Sequence, residues 1–363
     1  MAVADELRAS GAEVSFLGTE ERIEAELVPA AGYEIDFLKV RGIDRRNPLR
    51  AAVAVAEAGV AVGAARSALR RRGAAAVLGG GGFVAGPAGL AAALTRTPLV
   101  LTEADSHLGL ANRLLAGRAR RVCLSFPIEG REGEPYLLTG RPVPAAILAA
   151  DRDEARRRFG VAPDARCLLV MGGSQGARTI NEAAIEAFAE AGSGPDAEFR
   201  RDFHVIHLSG RRDYEDLQRR LAAASHAQDY TLLPYEPNLG DVLAACDLVL
   251  ARSGGSIFEL VAAGRPAILV PYPYATADHQ AANAAWMSEA GAAETIPDDA
   301  LSAGLLAGRV ASLFEDQPRL VSMAESSAAL ARPHAARAIA DEVLAAVSAA
   351  TYVGIDHKRR SGT

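Results

Sequence analysis

Three times along this chain a short apolar run ends in a glycine-rich turn that opens into a helix. The turns are Gly79-Gly80-Gly81-Gly82-Phe83, Gly172-Gly173-Ser174-Gln175-Gly176 and Arg252-Ser253-Gly254-Gly255-Ser256. Strand, tight glycine turn and helix form the repeating unit of a doubly wound parallel sheet, so the pattern predicts an α/β fold. Apolar runs place strands at 14–17, 35–38, 75–78, 99–102, 122–125 and 136–138, and a second series at 167–171, 204–208, 231–234, 248–251 and 267–270. Two series imply two domains, and 363 residues are enough for two cores.

The stretch Gly140-Arg141-Pro142-Val143-Pro144 is stiff and breaks helices, which puts the domain junction there. The predicted organisation is a first domain over 1–142, a second over 143–332, a helix within 333–350 that packs back on the first domain, and an unstructured tail over 351–363. At the other end, Val3 and Leu7 give a helical pattern that stops at Gly11. A Rossmann-like domain would open on a strand and a glycine loop instead.

Composition narrows the functional classes. No apolar stretch approaches the roughly 20 residues of a membrane span, and no export signal is visible, so a cytoplasmic location is expected. The net charge of -6 argues against a nucleic-acid partner. Cys123, Cys167 and Cys246 lie far apart without ligand spacing and are expected to be buried, reduced thiols. The one Asp-x-Asp, Asp151-Arg152-Asp153, sits at a helix start and reads as a cap rather than a metal site.

The turns suggest chemistry. Glycines at 172, 173 and 176 let backbone approach a phosphate while helix-start amides favour an anion; a ligand-free strand-to-helix turn is the alternative. Gly79 to Gly82 could serve a second anion across a cleft, or be slack. Glu259, in the helix after the Ser-Gly-Gly turn, suits a ribose diol, or is a solvated helix residue. In Pro271-Tyr272-Pro273-Tyr274-Ala275-Thr276-Ala277-Asp278-His279-Gln280-Ala281-Ala282-Asn283, the residues His279, Gln280 and Asn283 share a helical face, where amides suit sugar hydroxyls or capping. Between 41 and 72, Arg45, Arg46, Arg50, Arg66, Arg70, Arg71 and Arg72 ring Leu49, Val53, Val55, Val60 and Val62. That arrangement suits an anionic membrane surface or a core helix with solvated ends.

The ordered set GGGGFVAGP, GGSQGAR with Asn181, RSGG followed by Glu259, and PYPYATADHQAANA resembles the MurG family of bacterial lipid-I N-acetylglucosaminyltransferases. Leu17 to Glu24 and Gly109-Leu110-Ala111-Asn112-Arg113 fit it too, and the resemblance covers roughly residues 1 to 345. It implies a GT-B fold, in which two Rossmann-like domains face each other across a cleft. The implied reaction is inverting transfer of N-acetylglucosamine from UDP-N-acetylglucosamine to the 4-hydroxyl of an undecaprenyl-diphospho-N-acetylmuramoyl pentapeptide, without metal or cofactor. The implied donor residues are Ser174, Gln175 and Gly176 at the diphosphate, Glu259 at the ribose, and Gln280 and Asn283 with His279 at the hexosamine, with Arg252 and Ser256 beside them. The implied acceptor residues are Gly81, Gly82, Phe83, Glu103 and Asn112. The implied partners are the UDP-sugar, the polyprenyl-linked muramoyl peptide and the anionic cytoplasmic face of the cell membrane, held peripherally.

The sequence departs from the family pattern in places. Thr102-Glu103-Ala104-Asp105 keeps only the acid of an HEQN-like stretch, Pro144 stands where the family has arginine, and the RSGG turn is one residue shorter before Glu259. The family's first glycine loop, whose histidine is the expected general base, would precede Ala2, so no catalytic base is assigned. Two other readings fit the same motifs: a non-catalytic UDP-sugar binding protein, and a related GT-B enzyme with another acceptor or with epimerase activity.

Overall fold

The computed structural model of the chain describes residues 1–40, 48–173, 176–190, 203–224, 229–275 and 278–360, with backbone alone at 48–56 and 351–360. The chain divides into two compact units, Met1–Pro142 with His334–Thr363, and Val143–Pro333.

In the first unit, α1 (Ala2–Ala9), β1 (Ser15–Gly18), α2 (Glu24–Ala30), β2 (Glu34–Phe37) and α3 (Pro48–Arg71) precede β3 (Val77–Gly79), α4 (Gly82–Thr95) and β4 (Leu99–Glu103). Then come α5 (Leu110–Leu115), β5 (Arg121–Leu124) and β6 (Tyr136–Leu138). β1 and β2 pair in one parallel sheet, and β3-β4-β5-β6 form a second, also parallel. Alternation along the strands builds two cores. Leu99, Leu101, Val122 and Leu124 face Ala65, Leu69, Ala91 and Ala92 of α3 and α4. Val100 and Cys123 face the other way, onto Leu7 of α1 and Ile339, Ala340 and Val343 of the C-terminal helix, Ala335–Arg360. The segment expected to be unstructured from residue 351 continues that helix as far as Arg360; it contains no proline to stop it.

The arginine-ringed stretch behaves differently from a surface stripe. Val62 packs on the first core beside Ala65 and Leu69, because these fall on the helix face turned to the sheet. Arg71 and Arg72 are tied to Asp36, and Arg72 also to Glu34. Arg66 and Arg70 are exposed, as is Val60. Arg45 and Arg46 lie outside the described residues, and Arg50, Leu49, Val53 and Val55 are described in backbone only.

In the second unit, α6 (Ala145–Ala149) and α7 (Arg152–Phe159) lead to β7 (Arg166–Met171), α8 (Arg178–Ile185), β8 (Phe203–Leu208), α9 (Tyr214–Ala223) and β9 (Tyr230–Leu233). After these come α10 (Leu239–Ala245), β10 (Leu248–Ala251), α11 (Ile257–Ala262), β11 (Ala267–Leu269), α12 (His279–Glu289), β12 (Ala293–Thr295), α13 (Ala303–Glu315) and α14 (Gln317–Leu330). The six-stranded parallel sheet runs β12-β11-β10-β7-β8-β9. β12 escapes the sequence pattern, since three residues reading Ala-Glu-Thr carry no apolar run.

The amino ends of β7 and β10 are locked by a polar cluster. Asp247 accepts from Arg156 at 2.9 Å and from the Cys167 amide at 2.8 Å, and also binds Arg152. Arg156, buried, donates further to the carbonyls of Ala162, Pro163, Ala165 and Ala245. Asp151 caps α7 by accepting from the Glu154 amide at 2.8 Å. All three cysteines are buried free thiols, and burial pushes Cys123 and Cys246 up to about 12.

Candidate functional site

The order in which strands are added reverses in the second sheet at β7: β8 and β9 lie on one side and β10, β11 and β12 on the other. In open α/β sheets, loops at the carboxyl ends of strands flanking such a switch point diverge and leave room for a ligand. Here those are the glycine loop after β7 and the Arg252 to Ser256 turn after β10.

The glycines of the first loop are demanded by sterics. A β-carbon at Gly172 would lie 2.1 Å from the Ala177 nitrogen, and one at Gly176 would lie 2.2 Å from the Ser209 carbonyl oxygen. Gly173 and Gly176 hold φ of 84° and 73°, a left-handed backbone that glycine adopts without strain. Gly176 donates to the Gly173 carbonyl at 2.9 Å, closing the loop. Ala177 at the N-cap of α8 offers no side-chain acceptor to the first-turn amides, and such helix-start amides suit an anion. Ser174 and Gln175, expected at the diphosphate, lie outside the described residues.

The turn after β10 and the start of α12 form one substructure. Ser253, fully buried, donates through Oγ to the Gln280 carbonyl at 2.7 Å, and Asn283 Nδ2 donates to the Ser253 carbonyl at 2.9 Å. Gln280 Oε1 accepts from the Tyr272 amide at 3.0 Å, which leaves its amide nitrogen beside Gly254. Asn283 Oδ1 is buried and finds no hydrogen-bond partner among the described residues. His279 is half-buried at the head of the same helix. Ser256 stands immediately before α11, and Glu259 lies half-buried in its first turn. Gln280 and Asn283 therefore gather at the Ser253-Gly254 turn, and His279 stands one residue before Gln280 on the same helix.

Arg252 is placed differently from a ligand contact. It is buried, donates to the carbonyls of Val270 and Pro271 at 3.1 and 3.3 Å, pairs with Asp298 at 2.5 Å, and lies 5.5 Å from the centroid of the Tyr272 ring. Its guanidinium fixes the loop carrying Tyr272 instead of pointing at solvent. Asp298, just beyond β12, also accepts from Thr179 of α8 at 3.5 Å. Sequence reasoning missed Asp298; an acid following Pro297 behind the unrecognised strand was the available signal.

In the first unit, Gly81 and Gly82 hold φ of 80° and 73° at the head of α4. Phe83 is 49% exposed, with the Arg22 guanidinium 5.2 Å from its ring centroid. Glu103 and Asn112, expected to touch an acceptor, face inward. Glu103 is buried and accepts from the amides of Ala104, Asp105 and Gly109 and from Asn112 Nδ2, at 2.8 to 3.3 Å. Asn112 donates as well to the Thr102 carbonyl at 2.9 Å. Together they brace the loop from Ala104 to Gly109, and four donors to one carboxylate leave little capacity for a ligand. Among the described residues no group of three His, Cys, Asp or Glu side chains is arranged to hold a metal ion.

Two Rossmann-like units of parallel sheet, with glycine loops at the carboxyl ends of their strands, define a GT-B architecture of the nucleotide-sugar enzymes. The chain belongs to glycosyltransferase family 28: the family's N-terminal domain profile matches residues 1–124 and its C-terminal domain profile residues 167–341. It is 39% identical over 346 residues to the UDP-N-acetylglucosamine–N-acetylmuramyl-(pentapeptide) pyrophosphoryl-undecaprenol N-acetylglucosamine transferase of Moorella thermoacetica, covering 93% of this chain and 91% of that one. The transferase of the same name from Rubrobacter xylanophilus is 38% identical over 348 residues, covering 95% and 98%. The crystal structure of Acinetobacter baumannii MurG superposes with a TM-score of 0.74 at 26% identity, over 94% of each chain. A UDP-GlcNAc 2-epimerase from Neisseria meningitidis, at 13% identity and a TM-score of 0.64, shares the fold alone.

Proposed function

We propose that this chain transfers N-acetylglucosamine from UDP-N-acetylglucosamine to the 4-hydroxyl of a polyprenyl-diphosphate-linked N-acetylmuramoyl pentapeptide, the lipid I to lipid II step of peptidoglycan synthesis. The observation that carries the reading is the loop after β7, whose backbone comes too close to Ala177 and Ser209 for any β-carbon. Two relatives that are more than a third identical to it carry this activity in their names.

In the reaction the acceptor oxygen forms a bond to the anomeric carbon as the bond from that carbon to the diphosphate breaks, inverting the centre. Negative charge grows on the departing UDP. Amides of Ala177 and the first turn of α8, already oriented, stabilise that charge without reorganising. Ser174 and Gln175 complete the diphosphate contact and Glu259 accepts from the ribose diol. Gln280 and Asn283, steadied by Ser253 and flanked by His279 and Ser256, read the hexosamine; the buried Asn283 Oδ1 is an acceptor for a sugar hydroxyl. Arg252 acts at one remove, through the Tyr272 loop. Gly81, Gly82 and Phe83 serve the diphosphate side of the acceptor, with Glu103 and Asn112 shaping the neighbouring loop.

The lipid acceptor calls for a membrane-facing surface. No helix among the described residues is long and apolar enough to cross a membrane. On the adjoining helices α4 and α5, however, Leu90, Leu94, Leu110 and Leu114 are exposed, with Arg96, Arg113 and Arg118 exposed nearby. Apolar side chains edged by arginine suit peripheral attachment to the anionic cytoplasmic leaflet.

The test is release of UDP from UDP-N-acetylglucosamine with and without a lipid I analogue, with the product identified by mass spectrometry. Acceptor-dependent release with a disaccharide product is the expected result; UDP released without acceptor points to an epimerase or hydrolase and overturns the reading. Glu259→Ala is expected to weaken UDP binding by about 1–3 kcal/mol.

A further inference from the structure

Beneath the glycine loop of the second unit runs a buried chain of hydrogen bonds whose direction can be read from chemistry alone. Asn181 Nδ2 lies 2.9 Å from the Ser209 carbonyl oxygen and 2.9 Å from Asp213 Oδ2. Both partners can only accept, which fixes the amide nitrogen there and turns Oδ1 toward His207 Nε2 at 3.0 Å. An amide oxygen cannot donate, so His207 carries its proton on Nε2. Its Nδ1 is then a bare lone pair, and the Tyr230 hydroxyl, 2.7 Å away, must donate into it. The proton order runs Tyr230 to His207 to Asn181 to the Ser209 carbonyl. Burial drives His207 down to about 3 and the Tyr230 phenol upward, which keeps both rings uncharged.

The chain ends on a peptide group that bounds the loop. The Ser209 oxygen that Asn181 holds is the atom 2.2 Å from the place a β-carbon of Gly176 would take, and the Gly210 Cα lies 3.3 Å from it. The Asn181 amide itself donates to the Ala177 carbonyl at 2.8 Å, so one residue grips both the loop exit and its floor.

We propose that Tyr230, His207 and Asn181 are positioning residues for the donor diphosphate: their one-way relay, with His207 fixed as the Nε2–H tautomer, holds the Ser209 peptide, and with it Gly176, at the height at which the first-turn amides of α8 meet phosphate. The proposal deepens the UDP-sugar reading above and rests on it. None of the three residues touches substrate.

The test has two arms on the full-length chain. Nitrogen-15 spectra of the histidine side chains are expected to show His207 with a pyrrole-like Nε2 and a pyridine-like Nδ1, unchanged between about pH 5 and pH 8. A protonated ring or the Nδ1–H tautomer overturns the relay. In the second arm, Tyr230→Phe is expected to raise the Kd for UDP about five- to tenfold while leaving that for uridine, which lacks phosphates, unchanged. Equal weakening of both ligands, or none of UDP, overturns the positioning role. Should Tyr230→Phe fold poorly, His207→Gln is read the same way. Wild-type protein that binds neither UDP nor uridine overturns the donor reading itself, and the spectrum separates that failure from a failure of the relay.

Discussion

Glu103 Oε2 and Asn112 Nδ2 are bonded to each other at 2.9 Å inside the first unit, so the carboxylate expected to meet an acceptor is turned inward, while Asn112 Oδ1 is buried with no partner among the described residues. Glu103→Gln keeps the shape but replaces an acceptor oxygen with a donor facing backbone amides. The expected cost is about 2–3 kcal/mol of stability in the first unit, seen as a lower urea midpoint, with UDP affinity unchanged. Loss of UDP binding in a variant of normal stability would show instead that Glu103 reaches the donor.

Gly176→Ala forces a β-carbon against the Ser209 carbonyl, which is backbone and cannot swing aside. The expected result is a folded chain whose UDP affinity falls at least tenfold, measured by calorimetry. Gly11→Ala is the control, since that glycine shares a positive φ of 85° but has open space around it; it should lose about 1 kcal/mol of stability or less and no affinity.

Arg156→Met strips five acceptors of their donor at the amino ends of β7 and β10 and leaves Asp247 with Arg152 as its remaining cation. Breaking a buried charged cluster on one side costs about 3–5 kcal/mol. Because the chain has two units, denaturation should resolve two transitions, and only the one belonging to the second unit should move.

His207 gives the second unit a signed pH dependence. Burial lowers its pKa from 6.5 to about 3, so at intermediate pH the unfolded chain binds a proton that the folded one refuses. Its contribution is therefore complete above about pH 6.5 and is lost as pH falls toward 3, at up to about 1.4 kcal/mol per pH unit. Urea midpoints measured from pH 7.5 downward should show this slope in the wild type and a shallower one in His207→Gln.

Local chemistry was legible in the sequence and distant pairing was not. The apolar runs locate eleven strands to within a residue or two, most simply where a strand such as β7 or β10 is buried on both faces and needs little beyond β-branched and leucine side chains. The glycine turns were visible because sterics act on neighbours. The relay was invisible: His207 and Tyr230 are separated by 23 positions and Asn181 and His207 by 26, and only the β8–β9 register and the α8 crossing bring them together. Arg252 looked like a ligand contact for the same reason, since its partner Asp298 follows a strand too short and too polar to leave a pattern. Glu103 and Asn112 were each expected at an acceptor, but which way the Glu103 carboxylate turns is decided by the amides of the loop that follows it.

The C-terminal helix covers Val100 and Cys123 with side chains that lie more than two hundred positions further along. On the ribosome this separates the two halves in time. Residues 143–333 carry every strand of their own sheet and can close as soon as they emerge. The earlier half must wait with one side of its sheet only partly covered, by α1, until Ile339, Ala340 and Val343 have been made. The part synthesised first is thus finished last, and a nascent chain stalled before residue 335 would offer chaperones a completed second unit beside a partly covered first.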